Sequence, residues 1–286
     1  AASAAIFDSN SDTVHIETLP YLPDSGGLHP REAAEHMRQA LPKVLETIFT
    51  NLENPPDAVA FSRGPGLGPC LRICATAARA LAGTFNVPLI GVNHMLAHLE
   101  VGRHFSGFST PVCLNASGAN AHLLSYHDGY YRVLGETMDT GVGNALDKFA
   151  RHVGWAHPGG PQIEKTAIDG SFFDLPYIVK GMDFSFSGLT TAAITAYDQG
   201  HPIEDVCFSL QETIFSILTE VSERALSLLY CDEFILGGGV GNNTRLQDML
   251  ETMCTDRGAK FFAPEPRFLS DNAGMIAILG SYMFDV

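Results

Sequence analysis

Apolar and polar positions along the chain change period in a recurring order. Residues 1–8 form a short apolar run, Ser9-Asn10-Ser11-Asp12 reads as a turn, and 13–19 alternate as a second strand. A loop carrying Gly26-Gly27 precedes Pro30, whose place suits the first turn of a helix. Helical periodicity then runs over 31–52 until Asn54-Pro55-Pro56 breaks it. A buried strand over 57–62, the loop Gly64-Pro65-Gly66-Leu67-Gly68-Pro69, an Ala-rich helix over 70–82 and a strand over 88–92 lead to a helix opening at His94.

From Pro111 the order returns. Strand 111–116, the tight turn Ser117-Gly118-Ala119-Asn120, strand 121–126, the hairpin signal Asp128-Gly129 and strand 130–134 precede a helix over 143–153. A region from 154 to about 200 reads as an insertion carrying Pro158-Gly159-Gly160-Pro161 and the stretch Lys180 to Gly188. The pattern then predicts a long helix over 203–229, a strand over 233–236 and the loop Gly237-Gly238-Gly239-Val240-Gly241. A helix over 243–253, a strand over 260–263 and a last helix over 271–284 follow.

Both halves thus share one order of elements, and the second has an extra opening strand at 111–116. By that symmetry a counterpart strand is expected before Ala1. Alternating strands and helices define an α/β class. The expected lobes are 1–105 and 106–286, with 154–200 inserted in the second and helix 271–284 packing back at a central cleft. A duplicated unit of this kind resembles the actin-like ATPase (ASKHA) fold, here with its first strand missing.

Composition narrows the function. With 286 residues, 45% of them hydrophobic, the chain can bury the core of two lobes. No apolar run nears the roughly 18 residues of a membrane span, and no signal peptide opens the chain. Six scattered cysteines without a C-x-x-C pair read as reduced thiols of a cytoplasmic protein. A net charge of −15 with scarce lysine argues against holding a nucleic acid unaided and suits a salt-rich cytoplasm.

The chemistry centres on His94 and His98. At i and i+4 their imidazoles share a helix face and can converge on one metal ion. Met95 stands where a zincin protease carries glutamate, so the water-activating base is absent. By the internal symmetry Asp271 opens the matching helix of the second half and could complete a His/His/Asp site. Two plainer readings stay open: the histidines as ordinary helix-face residues, and Asp271 as a helix N-cap within Ser270-Asp271-Asn272. Three glycine-bearing turns, 64–68, 117–120 and 237–241, could bring backbone N–H groups to phosphate. Neither a Walker A nor a Rossmann fingerprint is present. Asp147, on a helix beside the insertion, reads either as a ribose ligand or as a solvated helix residue.

These motifs together resemble the TsaD-like tRNA threonylcarbamoyladenosine synthases, in particular the archaeal and eukaryotic catalytic subunit of the KEOPS complex. The resemblance rests on Ser62 through Gly68, Asn93-His94 through His98, Gly135 through Asp139, Pro158 through Pro161, Lys180 through Gly188, Gly237 through Val240 and Asp271 through Gly274. It implies transfer of a threonylcarbamoyl group from threonylcarbamoyl-AMP to N6 of the adenosine beside the anticodon. One iron or zinc ion is implied on His94, His98 and Asp271, with Asn115 where archaeal members have tyrosine. The adenine nucleotide is implied on Asn115, Ala116, Ser117, Gly118, Ala119, Asp147, Gly160, Glu164 and Asn243. Ala119 replaces the family's second turn glycine, which questions close phosphate approach there. Implied partners are tRNA and other KEOPS subunits, a small kinase (fused after Val286 in some arrangements) and a dimerising subunit, but no membrane. Arg31, Arg38, Arg151 and Lys180 are local candidates for RNA contact. The competing functions are a small-molecule kinase of the same fold, which needs no histidine pair, and a non-catalytic scaffold, which would lose the metal trio.

Overall fold

In a computed structural model, residues 1–21, 29–50, 52 and 54–284 are described. The expected Gly26-Gly27 loop lies outside them. The described residues fall into two compact units, one from the described parts of 1–104 with 271–284, the other from 105–270.

The first unit begins with β1 (Ala2–Asp8) and β2 (Thr13–Leu19), an antiparallel hairpin in which Asp8 pairs with Thr13. Helix α1 (Pro30–Thr50) follows, then β3 (Val59–Gly64), α2 (Gly68–Phe85), β4 (Leu89–Asn93) and α3 (His94–Ser106). Strands β3 and β4 pair in parallel. Asn86 ends α2 in the left-handed conformation, where asparagine costs less than most residues.

The second unit contains β5 (Val112–Ala116), β6 (Ala121–His127), β7 (Tyr130–Glu136) and α4 (Val142–His152). The inserted region forms α5 (Gly160–Ala167), the two-residue strands β8 (Val179–Lys180) and β9 (Asp183–Phe184), and α6 (Ser187–Asp198). Next come α7 (Ile203–Leu229), β10 (Glu233–Gly237), a 3-10 turn over Gly239–Asn242, α8 (Thr244–Asp256), β11 (Lys260–Phe262) and α9 (Pro266–Leu269). The last helix, α10 (Ala273–Phe284), belongs to the first unit.

One sheet organises the second unit, in the order β11-β10-β5-β6-β7. Strand β10 runs parallel to both β11 and β5, and β6 is antiparallel to β5 and β7. Every residue of β5 is buried, which explains its unbroken run Val-Cys-Leu-Asn-Ala. Helix α7 is the other half of this core. It buries Val206, Leu210, Ile214, Phe215, Leu218, Val221 and Ala225 and packs on α5, α8 and β5. Glu204 and Asp205 in its first turn complement the helix dipole.

The first unit shows a similar order of elements. Its parallel pair β4-β3 and its antiparallel pair β1-β2 are separate sheets, and among the described residues no strand lies where β5 sits in the second unit. A cavity of about 1170 Å³ is lined by residues of β1, β3, α1, α2 and α10. The expected repeat is therefore visible in the order of elements.

Two boundaries differ from expectation. The units divide after His104 rather than Phe105, in the last turn of α3. The last helix, expected with the second lobe, packs on β1 and β3 in the first unit. It does so because Ala273-Gly274-Met275-Ile276 through Phe284 is apolar on most sides and has small residues at its contacts. A Cβ on Gly280 would stand 2.5 Å from Ala60 Cβ, and one on Gly274 would stand 2.6 Å from Ile16 Cδ1.

Candidate metal centre and nucleotide site

The metal-ligating candidates are set by two helix starts within the first unit. Asn93, the last residue of β4, accepts the backbone N–H groups of Met95 at 2.9 Å and Leu96 at 3.2 Å through Oδ1. That cap fixes the first turn of α3, so His94 and His98 stack one turn apart with ring centroids 4.9 Å apart and planes at 87°. Asn272 does the same for α10, its Oδ1 accepting Met275 N–H at 3.0 Å. Ser3 Oγ takes the N–H of Ala273 at 3.0 Å. With Asn272 as cap, the reading of Asp271 as N-cap falls away, and its carboxylate turns to the histidines.

Asp271 Oδ1 lies 3.1 Å from His98 Nε2 and 3.3 Å from His94 Nε2. One candidate ligand atom from each of the three residues falls within 4.8 Å of the others. His98 is 2% exposed and the Asp271 side chain 75%, so the cluster has a buried floor and an open side. The protein packed around Asp271 works to raise its carboxyl, but hydrogen bonds and charge from His94 and His98 outweigh it and hold the pKa well below the usual carboxylate range. Two imidazole nitrogens and one ionised carboxylate oxygen are a donor set that suits zinc or ferrous iron, with coordination positions left for a ligand. The group lies within one unit, because α10 joins the first, and is not shared between lobes as the symmetry suggested. Asn115, expected as a fourth ligand, belongs to the second unit. It is fully buried on β5.

The nucleotide candidates all lie in the second unit, in two neighbourhoods. In the first, the β5–β6 turn is closed by Ser117 N–H and Ser117 Oγ donating to Asn120 O at 3.0 and 2.9 Å. Helix α4 starts against it, with Gly143 N–H donating to Ser117 O at 3.1 Å and Asn144 N–H to Gly118 O at 2.8 Å. Contact is so close that a Cβ on Gly141 would come within 2.4 Å of Ala119 C. Ala119 itself keeps an ordinary negative φ, so the backbone there does not require glycine. The loop after β10 closes on the same place. Gly238, at φ +87°, could carry no side chain, since a Cβ would stand 2.4 Å from Ala116 O and 2.7 Å from Asn115 Oδ1. Residues 115–119 and 237–239 thus meet at the ends of adjacent parallel strands, a usual ligand position in α/β sheets.

The second neighbourhood is built on α4, α5, α7 and α8. Asp147 Oδ1 accepts Gly159 N–H at 2.7 Å, and Oδ2 lies 2.9 Å from His157 Nδ1. Gly160 opens α5, and Glu164 on that helix accepts Thr244 N–H at 2.8 Å and Thr244 Oγ at 2.7 Å. Asn243 caps α8 by accepting Leu246 N–H at 3.2 Å, while its Nδ2 donates to Gln211 Oε1 at 3.0 Å. An open groove of about 460 Å³ runs beside them, lined by Glu164, Gln211, Thr244 and Arg245 among others. Arg245 is held in the groove wall by two hydrogen bonds of 2.7 Å to Glu212.

Gln211, Glu212, Thr244, Arg245 and His157 were not singled out from the sequence. Gln211 and Glu212 lie mid-helix in α7 with no motif around them, and only His157, beside Pro158-Gly159-Gly160, had a signal. Of the basic candidates, Arg38 is paired with Glu35 at 3.0 Å, whereas Arg31, Arg151 and Lys180 are exposed.

Repeated mixed α/β units with glycine turns at strand ends place the chain in the actin-like ATPase fold class. Solved structures agree at the level of fold: HypF from T. kodakarensis superposes with a TM-score of 0.64 over 89% of this chain and 44% of its own, at 14% identity. A second HypF structure, in a phosphate- and nucleotide-bound form, also gives 0.64, over 87% and 42%, at 11% identity.

The chain belongs to the TsaD family, tRNA N6-adenosine threonylcarbamoyltransferase, whose profile matches residues 12–278. It is 67% identical, over 99% of its length, to a probable bifunctional tRNA threonylcarbamoyladenosine biosynthesis protein of Halobacterium salinarum and 66% identical to that of Haloquadratum walsbyi. It spans about half of those curated relatives, 53% and 55% of their lengths. A tRNA N6-adenosine threonylcarbamoyltransferase of Archaeoglobus fulgidus is 54% identical over 95% of this chain and 84% of its own. Among the described residues no helix is long and apolar enough to cross a membrane.

Proposed function

We propose that the protein transfers the threonylcarbamoyl group of threonylcarbamoyl-AMP to N6 of the adenosine beside the anticodon in tRNAs reading ANN codons. The observation that carries this reading is the convergence of His94, His98 and Asp271 on one point in a chain of this family. A divalent ion, iron or zinc, held by those three residues, would supply a Lewis acid for a carbamoyl carbonyl.

The remaining chemistry belongs to the second unit. Backbone N–H groups of 118–119 and of the Gly237–Gly239 loop are suited to the phosphate of the adenylate. Asp147 would take ribose hydroxyls, and Glu164 and Asn243 frame the groove for the base. Attack of the adenosine amine on the carbamoyl carbon forms the C–N bond and breaks the C–O bond to phosphate; the amine loses its proton as AMP leaves. Holding the adenylate at fixed points makes the step effectively unimolecular for a docked tRNA.

The acidic chain would reach tRNA as part of an assembly with a small kinase and a dimerising subunit of KEOPS type. Lys180, Arg151 and Arg31 are its own contributions to the RNA contact. Supplying threonylcarbamoyl-AMP, tRNA and those subunits tests the proposal. Wild type should form threonylcarbamoyladenosine, and His98→Ala should lose at least about a hundredfold in rate, the scale of removing one strong electrostatic contact. Equal rates for both proteins would refute it.

A further inference from the structure

Asp147 does not stand alone on α4. Its carboxylate meets two groups from the start of the inserted region: Gly159 N–H donates to Oδ1 at 2.7 Å, and His157 Nδ1 lies 2.9 Å from Oδ2 as an ion-pair contact. The segment carrying both groups is pressed against the helix. A Cβ on Gly159 would stand 2.1 Å from Ala150 Cβ, so the contact leaves no room for anything but glycine. His157 and Asp147 are both largely covered, with side chains 28% and 17% exposed. An imidazole nitrogen this close to a carboxylate oxygen avoids lone-pair repulsion by carrying the proton, which sets the ring against Oδ2 as a charge contact.

A carboxylate accepts about four hydrogen bonds; Gly159 N–H takes one position on Oδ1 and the His157 ring covers one side of Oδ2, which leaves an acceptor position on each oxygen. Those two remaining acceptors are a matched pair for two neighbouring hydroxyls. We infer that His157 is a positioning residue that fixes the rotation of the Asp147 carboxylate so that it reads the vicinal diol of a ribose. The inference rests on the proposed adenylate site and deepens it. Without His157 the carboxylate is held at Gly159 alone and turns about that bond, and selectivity for the diol is lost.

The test measures binding of ATP and of 2′,3′-dideoxy-ATP to the full chain by calorimetry. Wild type, His157→Ala, His157→Asn, Asp147→Asn and the Asp147→Asn/His157→Ala double variant are compared. His157→Ala is expected to weaken ATP about tenfold, the scale of losing one well-oriented carboxylate contact to the diol, and to leave dideoxy-ATP nearly unchanged. His157→Asn, whose amide can donate from a similar position, should recover most of the loss. In the Asp147→Asn background His157→Ala should add little, because the two act as one unit. Equal weakening of both nucleotides by His157→Ala, with additive losses in the double variant, would overturn the inference and leave His157 as packing. If instead Asp147→Asn leaves the preference for ATP over dideoxy-ATP intact, the ribose reading of Asp147 itself fails, and the role of His157 with it.

Discussion

Asp271 can serve a cation because its neighbour does the capping. The Oδ1 of Asn272 accepts Met275 N–H, and the Asp271 carboxylate is left to face His94 and His98. Replacing Asn272 by alanine should cost about 1 kcal/mol of stability, the usual loss of a cap, and weaken metal binding by loosening Asp271. Thermal melts and a metal titration on the same sample would read both effects. Asp139 illustrates a carboxylate with a structural role. It accepts Thr140 N–H at 2.7 Å, Phe186 N–H at 3.0 Å, Ser187 N–H at 2.9 Å and the hydroxyl of Ser185, tying the β8–β9 hairpin and the start of α6 to the end of β7. Burial works to raise its pKa, but those four donors together prevail and lower it. A carboxyl with a depressed folded pKa contributes stability above its unfolded value near pH 4, and loses it as pH falls through the folded value. Asp139→Asn is therefore expected to lower stability at pH 7 by about 1 kcal/mol, a modest figure because the site is exposed. The gap to wild type should narrow below about pH 4. A gap that stayed constant from pH 7 to pH 3 would contradict this account.

At the scale of elements, α10 shows how packing can oppose propensity. An alanine in place of an interior helical glycine normally gains up to about 1 kcal/mol. At Gly280 the added methyl would meet Ala60 Cβ, which is fixed to β3 and cannot turn away. Gly280→Ala should instead destabilise by about 1–3 kcal/mol, the range for overpacking, and push α10 with Asp271 away from its place. A denaturant melt showing a more stable variant would overturn the reading of α10 as closely docked on β3. Most elements were legible in the sequence, because long periodic runs such as 203–229 and breakers such as Asn54-Pro55-Pro56 leave little choice. The interior of the insertion was not: α5 has eight residues, and β8 and β9 have two each, too short for a period to show. Membership of α10 in the first unit was also hidden, since an apolar helix carries no sign of which sheet it will cover. The His/His/Asp trio was readable because i, i+4 spacing and the internal repeat are both sequence features. Gln211 and Arg245 were not, because only the packing of α7 against α8 brings them to the groove.

For the whole molecule, charge bears on the proposed tRNA substrate. A net charge of −15 opposes a polyanion, so under that proposal contact would concentrate on few cations and on partners. Lys180→Ala in the assembled complex is expected to weaken tRNA binding similarly for all sequences and to reduce the slope of log affinity against log salt by about one. An unchanged slope would remove Lys180 from the interface. Equilibrium metal loading of the purified chain tests the central claim most directly, with iron and zinc supplied separately without oxygen and bound metal counted per chain. Wild type should take up one ion per chain, and His94→Ala, His98→Ala and Asp271→Asn should each lose most of it while keeping the wild-type melting profile. A wild-type chain that binds no metal, or variants that bind it as well, would contradict the account and return the two histidines to the role of ordinary helix-face residues.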